Sequence, residues 1–394
     1  MIAFYGTSNP KLQKALIDLC FFKDSSSIPL IDAAINKDQL SGEQIRMLPF
    51  VYTKSSLEGF SPFSKSRIKG MYKHTLCRNY ALLAKAAQFK KELNAHGYKK
   101  VIFLKGIAQI LSEQKNFGQR PMADIDVLVP GFSDDFERAI SFIRNGGYTI
   151  GSSGLREVSV VNDKKAEFDI HWYLAHGALK QLTINKIVDK AEIINYRGTE
   201  MTVPCFEHQL AHVIVHGVFA PTLTYDARWI MDAIDLLTKK QKIDTEVFLD
   251  FVKDFSLPSK VKYGIDLIIE NIKSETLVNK KALREISKHI KPANNLLGYF
   301  YNQKPMPNVI FTDRKEQYSW VKSGICTHII EPVIVAKYNR KSYLQSFALT
   351  LKFPPPSLFK AISLISIKIF SRMLHRLSVI LKIPKKIFLP KKGF

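Results

Sequence analysis

The chain has 394 residues, of which 46% are hydrophobic and 11% are aromatic. This length allows two or three domains with cores of their own, and the composition excludes an intrinsically disordered chain. The net charge of +23 favours anionic partners without identifying one.

The cysteines and the amino terminus indicate the compartment. Cys20, Cys77, Cys205 and Cys326 are far apart and form no CxxC pair, which argues against a disulfide framework and a thiolate zinc site. The amino terminus lacks the pattern of a signal peptide, and no run of about 18 apolar residues predicts a membrane-spanning helix. We therefore expect a protein of the reducing cytoplasm.

Residues 1–97 predict a helical lobe. In "CRNYALLAKAAQFKKELNAHG" the apolar residues recur at helical spacing, and Gly97 is a plausible end signal for that helix. Residues 98–175 predict a small mixed sheet, because "KKVIFLKG" and "DIDVLVP" resemble buried strands that are each followed by a helix. "REVSVVN" and "AEFDIHWYL" then predict two strands joined by the turn "NDKKA".

Residues 176–335 predict a second helical region, and residues 336–394 a basic amphipathic tail. From residue 332 onward there are thirteen Lys and Arg residues and no Asp or Glu. Three roles remain open for this tail: peripheral contact of residues 357–392 with an anionic membrane, packing on the protein's own body or on a second copy, and attraction of RNA phosphates.

Two of the predicted strands carry carboxylates on one face. Alternation places Asp124 and Asp126 on the same side of the first strand, and Asp169 shares a face with His171 on the second. If these strands are neighbours, three aspartates converge, and unpaired carboxylates would repel unless a divalent cation lay among them. This repulsion also predicts that Asp126→Asn raises stability without metal. The alternative is that Asp124 is a turn residue and the others face solvent.

The order of these segments is more specific than any one of them. The series "FLKG", helix, "RPMADIDVLV", helix ending in "GGY", and "EFDIHWYL" resembles the DNA polymerase β-like nucleotidyltransferase superfamily, and within it the uncharacterised nucleotidyltransferase family. The resemblance extends from the amino-terminal helices to about residue 240. It implies an α+β fold, with a small mixed-sheet nucleotidyltransferase core flanked by helical regions. It also implies that Asp124, Asp126 and Asp169 bind Mg²⁺ or Mn²⁺ and are catalytic.

The phosphate-binding residues depart from the superfamily pattern. Lys105 and Gly106 stand where a Gly-Ser pair is usual. Gly106 would let the backbone approach a phosphate at a helix amino terminus, and Lys105 and Arg120 would add positive charge. The alternatives are a lysine in solvent and an arginine paired with a structural acid.

Histidines add candidates on the acceptor side. His171 would orient a carboxylate, touch the acceptor or form a structural hydrogen bond. His208, His212 and His216 are four residues apart and share a helical face, but the HExxH pattern of a zinc hydrolase is absent. They predict either a polar stripe near the substrate cleft, with His216 on the acceptor side, or hydrogen-bonded histidines in the core.

The function predicted from these patterns is transfer of a nucleoside monophosphate from an NTP, such as ATP, to an acceptor hydroxyl. The acceptor is a small molecule, a protein or RNA. The alternative is a catalytically inactive scaffold of this fold that binds a membrane surface or RNA through its basic tail.

Overall fold

The computed structural model describes residues 9–132, 134–153, 157–162, 167–174, 181–219, 228–240, 242–255, 258–272 and 280–290. The basic tail, residues 336–394, and Cys326 lie outside these described residues. Across the described ranges, no helix combines the length and the apolar character needed to cross a lipid bilayer.

From residue 9, where the described part of the chain begins, five α-helices precede the sheet: α1 (Pro10–Phe22), α2 (Ile28–Asn36), α3 (Gly42–Ile45), α4 (Leu48–Lys54) and α5 (Pro62–Ala95). Polar caps and prolines define where they begin. Ser61 accepts a hydrogen bond from the backbone N–H of Ser64, and Pro62 occupies the first turn of α5. After α5 the chain turns at Gly97, whose φ of +86° is a left-handed conformation that glycine adopts without strain. Helices α1 to α5 thus lie within residues 10–95, and their separation as a lobe stays a prediction.

The sheet region alternates strands and helices: β1 (Ile102–Phe103), α6 (Lys105–Glu113), β2 (Ile125–Leu128), α7 (Phe136–Asn145), β3 (Thr149–Ser153), β4 (Glu157–Val161), β5 (Glu167–His171), α8 (Gln181–Asp189), β6 (Glu192–Tyr196) and β7 (Thr199–Val203). These strands form one mixed sheet in the order β3-β4-β5-β2-β1-β7-β6. β2 and β5 are parallel neighbours, whereas β1 runs antiparallel to β2 and β4 antiparallel to β5. The α+β fold class is therefore confirmed.

Aromatic packing attaches α5 and α7 to the apolar face of the sheet. Phe89 of α5 stacks on Phe168 of β5 with ring centroids 4.1 Å apart, and Phe142 of α7 meets Phe89 edge to face at 5.6 Å. Ile125 and Val127 of β2 are fully buried. Because side chains alternate along a strand, this burial fixes Asp126 on the opposite face of the sheet.

Residues 192–203 correct the predicted organisation, because they form a hairpin within the region expected to be helical. β6 and β7 are joined by Arg197 and Gly198, which have φ of +49° and +77°, and β7 pairs in parallel with β1. Each strand has only five residues, so its pattern is weak by itself. Tertiary pairing with β1 gives the hairpin its place in the sheet.

In the described residues after the sheet, five helices are present: α9 (Phe206–Phe219), α10 (Arg228–Lys239), α11 (Thr245–Val252), α12 (Pro258–Asn271) and α13 (Lys280–His289). Glycines allow α9 to lie close to its neighbours. A Cβ built on Gly217 of α9 would lie 2.3 Å from the indole of Trp229 in α10, and one on Gly264 of α12 would lie 2.5 Å from Ile214. Both positions therefore exclude a larger side chain.

We predict that Gly217→Ala destabilises the protein by about 1–3 kcal/mol, because the added methyl group overlaps Trp229 in a close-packed interface. Gly70→Ala is the matched control. A Cβ at Gly70, within α5, meets nothing within 4 Å, so alanine should be neutral or stabilise by up to about 1 kcal/mol. Urea unfolding of the full chain measures both changes, and equal effects would contradict the packing of α9 on α10.

Candidate functional site

Register between parallel strands brings the two central carboxylates together. Asp126 of β2 is paired with Asp169 of β5, and Leu128 is paired with His171. Residues paired in this way point to the same face of the sheet. Asp126 is buried and Asp169 is half-buried, so the pair lies at the boundary between the protein interior and solvent.

Two cationic side chains contact the same oxygen of Asp126. The ammonium of Lys105 lies 2.5 Å from Oδ1, and Nε2 of His171 lies 3.1 Å from it. Burial raises the pKa of Asp126, but Lys105 and His171 lower it by more, so that the pKa is well below its usual range. Asp126 is therefore a carboxylate at neutral pH, and its Oδ2 is the oxygen that neither of these two groups contacts.

His171 is held from both ring nitrogens. Its Nδ1 lies 2.9 Å from a carboxylate oxygen of Glu157, the residue paired with it on β4. Burial lowers the pKa of His171, but Glu157 and the hydrogen bond to Asp126 raise it to about 9. Nε2 either donates a proton to Asp126 or, when deprotonated, is free to ligate a metal, and these two uses exclude one another.

The remaining aspartates carry the surplus negative charge of the site. Burial and the nearby charge of Asp126 raise the pKa of Asp169 to about 7. The same two causes raise the pKa of Asp124, and Lys105 and Arg120 offset part of this rise. Both aspartates therefore lie in a field that favours protonation or binding of a further cation, and for Asp169 this field acts near neutral pH.

The donors present fit a divalent metal ion. Among the described residues, one group of three metal-ligating side chains is found, Asp126, Asp169 and His171, whose donor atoms lie within 4.8 Å of one another. Carboxylate oxygens suit Mg²⁺ and Mn²⁺, and an imidazole is also compatible with Mn²⁺. The sequence predicted Asp124 as the third ligand, whereas the structure has His171 in the cluster. Asp124 lies two residues before Asp126, just ahead of β2.

Lys105 has an unusual backbone conformation. It is the first residue of α6 and has φ of +47°, which costs a non-glycine residue about 1 kcal/mol. Gly106 follows, and a Cβ built there would lie 2.2 Å from Nη1 of Arg120 and 2.7 Å from Met122. Glycine is thus required here by the side chains that pack on it, a reason that the sequence pattern did not reveal.

Arg120 forms a buried ion pair with α10. Its Nη2 and Nε lie 2.8 Å and 3.0 Å from Oδ2 of Asp232. Of the two interpretations of Arg120, pairing with a structural acid is the contact observed. Binding of a nucleotide phosphate by this residue stays a prediction, and its charge lies close enough to Asp124 to lower the pKa of that carboxyl.

Helices on two sides hold the loop that enters β2. From α5, the side-chain amide of Asn79 donates to the carbonyl oxygens of Phe117 and Arg120 at 2.6 Å and 2.8 Å. From α10, Asp235 accepts a 2.9 Å hydrogen bond from Gln119. The sequence patterns did not indicate Asn79, Gln119 or Asp235. The available signal was two acids, Asp232 and Asp235, three residues apart within the otherwise apolar stretch 229–237 of α10.

The histidine stripe of α9 has a different character. His208 stacks on Phe251 with ring centroids 4.0 Å apart, and His212 meets His216 edge to face at 6.2 Å. His208 and His212 are buried, whereas His216 is half-buried. His208 and His212 therefore lie in the core, where Nδ1 of His208 has no hydrogen-bond partner among the described residues, and an acceptor-side role of His216 remains a prediction.

A mixed sheet with adjacent aspartates on parallel strands is consistent with a nucleotidyltransferase core. The family model described as "uncharacterised nucleotidyltransferase" matches residues 43–270, more than half of the chain. The protein therefore belongs to this family, as its motifs predicted. A comparison with curated proteins gives no significant match. Membership supports a general nucleotidyltransferase function and implies a nucleotide substrate.

We predict that neutralising the two paired aspartates has opposite effects on the metal-free protein. Asp126→Asn leaves Lys105 and His171 without their shared carboxylate and should destabilise by about 1–3 kcal/mol. This reverses the sign expected from repulsion alone. Because the pKa of Asp169 is raised in the folded state, its ionised form costs stability above pH 7, so Asp169→Asn should stabilise by about 1 kcal/mol at pH 8.

The measurement is chemical unfolding at pH 8 in EDTA. The exposed Asp189 provides the control, since Asp189→Asn should change stability by less than about 0.5 kcal/mol. Stabilisation by Asp126→Asn, or destabilisation by Asp169→Asn, would contradict this description of the charges.

We predict that His208 makes the fold acid-sensitive. Burial, Lys190 and Lys186 lower its pKa to about 4. As the pH falls below 6.5, the unfolded chain binds a proton that the folded protein excludes, and about 2 kcal/mol of stability is lost by pH 5. His208→Phe keeps the stacking on Phe251 without the titration. The variant should lose less stability than wild type between pH 7 and pH 5, and equal losses would refute this role of His208.

Proposed function

We propose that the protein transfers a nucleoside monophosphate from an NTP to an acceptor hydroxyl. The acceptor oxygen forms a bond to the α-phosphorus, and its proton passes to a carboxylate of the site. The bond between the α-phosphorus and the oxygen bridging to the β-phosphate breaks, and pyrophosphate leaves with the electron pair. Membership of the nucleotidyltransferase family supports this reaction class.

The observation that carries the proposal is the in-register pairing of Asp126 with Asp169. Asp126 and Asp169, together with Asp124, would hold Mg²⁺ or Mn²⁺, which supplies positive charge to the phosphates and to the developing negative charge. Asp169 is the more exposed member of the pair. We therefore propose that Asp169 accepts the proton of the acceptor hydroxyl, and that buried Asp126 keeps a fixed position.

Lys105, Gly106 and Arg120 are the proposed nucleotide-binding residues. The Lys105 ammonium has three donors, so one can stay on Asp126 while another meets a phosphate oxygen. Gly106 lies in the first turn of α6, where backbone N–H groups favour anions. Because Arg120 is held by Asp232, it would contribute to nucleotide binding only as a nearby positive charge.

We propose His171 and His216 as the residues on the acceptor side. His171 orients Asp126 through the 3.1 Å contact. The acceptor itself, a cytoplasmic location and contact of residues 357–392 with an anionic membrane belong to this proposal too, and the tail lies outside the described part of the chain.

Transfer of label tests the proposal directly. Purified full-length protein, Mg²⁺ and each of the four NTPs labelled at the α-phosphate are incubated with cell extract. We predict a labelled product with at least one NTP, and losses of about 100-fold or more for Asp126→Asn and Asp169→Asn, because each removes charge at the reacting phosphate. Asp189→Asn, which alters an exposed carboxylate, should retain activity.

Binding is measured in parallel, since the acceptor is unidentified. Mg²⁺ with the preferred NTP at about 100 times its Kd should stabilise the wild-type protein by about 2.7 kcal/mol. No label transfer together with no stabilisation by any NTP would overturn the proposal and favour the inactive scaffold.

A further inference from the structure

The outer face of α5 is unusually basic. From Pro62 to Lys91 this helix contains no Asp or Glu, and its first acid is Glu92. Three of its lysines, Lys65, Lys69 and Lys73, are exposed and four residues apart. Four residues advance a helix by about 6 Å and return nearly to the same side, so these ammonium groups form a row. Within the described residues, none of the three has an ion-pair partner.

Stacked aromatic pairs border this row. Tyr72 of α5 stacks on Tyr52 at a centroid distance of 4.4 Å, and Tyr80 stacks on Phe117 at 5.3 Å. Tyr80 lies about three turns beyond Lys69, on the same side of the helix as the lysines. Its side of the helix reaches solvent, since Tyr80 is 37% exposed.

The hairpin between β6 and β7 adds a cation at the same place. The guanidinium carbon of Arg197 lies 5.4 Å from the ring centroid of Tyr80 and 5.6 Å from that of Tyr196. Arg197 is exposed and has φ of +49°, a position where a turn usually has Asn or Gly. Two acids lie nearby: Glu200, whose charge acts on Lys90, and Asp38, which pairs with Arg67 of α5 at 2.7 Å. The surface therefore keeps a clear excess of positive charge.

We propose that this surface, consisting of Lys65, Lys69, Lys73, Tyr80, Phe117 and Arg197, binds single-stranded nucleic acid. The lysine row would follow the phosphates, and a base would stack on the planar guanidinium of Arg197, which the ring of Tyr80 supports. Single-strand binding sites combine a basic track with aromatic stacking in this way. An anionic membrane is less suited to this surface, because the Tyr80 and Phe117 rings stack on each other and do not project as an apolar wedge.

This surface is distinct from the aspartate site and from the basic tail. The inference does not depend on nucleotide transfer, and it is tested by binding alone. Absence of enzymatic activity would leave it intact, just as absence of binding at α5 would leave the proposed transfer intact.

The experiment measures fluorescence polarisation of a labelled 20-nucleotide oligouridine with the full-length chain over a series of salt concentrations. Lys69→Gln/Lys73→Gln should weaken binding about tenfold and reduce the slope of log Kd against log salt by about 1.4, which corresponds to two lost phosphate contacts. The control Lys99→Gln/Lys100→Gln removes the same charge from two exposed residues beyond the other end of α5. It should change binding by less than about twofold.

Aromatic variants separate stacking from charge. Tyr80→Ala should weaken oligouridine binding about tenfold without changing the salt slope, whereas Tyr80→Phe should bind like wild type. Inorganic polyphosphate, which has no bases, should not distinguish Tyr80→Ala from wild type. Circular dichroism melting checks that each variant is folded.

Three results would overturn the proposal. They are equal losses for the two lysine pairs, unchanged oligouridine binding by folded Tyr80→Ala, and a loss of binding to phosphatidylserine vesicles in Lys69→Gln/Lys73→Gln without a loss of oligouridine binding. The last result would identify the α5 surface as a membrane contact.

Discussion

The parallel register of β2 on β5 is the constraint on which the rest of the site depends. It places Asp126 and Asp169 side by side, and a shift of one residue would turn one of them into the apolar core beside Phe168. The cost of this proximity is reduced most at one carboxylate, because Lys105 and His171 both contact Oδ1 of Asp126. Asp169 keeps a raised pKa. The two aspartates therefore differ in their electrostatic environment. Asp126 is a fixed anion, whereas Asp169 is a group that can exchange protons or bind a cation.

The helices before and after the sheet hold this site from outside. Asn79 of α5 and two acids of α10 bind the loop that delivers Asp124, and Gly106 accepts the side chain of Arg120 at a distance that no other residue would allow. The matched family region, residues 43–270, extends from α3 into α12 and so includes both the sheet and the elements that hold the loop. This extent agrees with a site whose geometry depends on helices distant in sequence.

Sequence patterns predicted the parts of the structure that depend on local periodicity. The helix around Phe89, the strand alternation that separates Asp126 from Val127, and the shared face of Asp169 and His171 all followed from spacing. Contacts between distant residues did not. Nothing local indicates that Lys105 meets Asp126, that Asp232 pairs with Arg120, or that the short β6–β7 hairpin extends the sheet, because each arises from tertiary packing. The raised pKa of Asp169 agrees with the predicted repulsion among carboxylates, whereas the cationic partners of Asp126 reverse the sign that we predict for Asp126→Asn.

Titration of Mn²⁺ into the full-length protein, followed by the electron paramagnetic resonance signal of the free ion, tests most directly whether the paired carboxylates are a metal site. Wild type should remove Mn²⁺ from solution, and the affinity should fall about tenfold or more in Asp169→Asn, which loses one carboxylate ligand while keeping Asp126 with its two cationic partners. Asp189→Asn should bind like wild type. Equal Mn²⁺ affinity in wild type and Asp169→Asn would contradict the account.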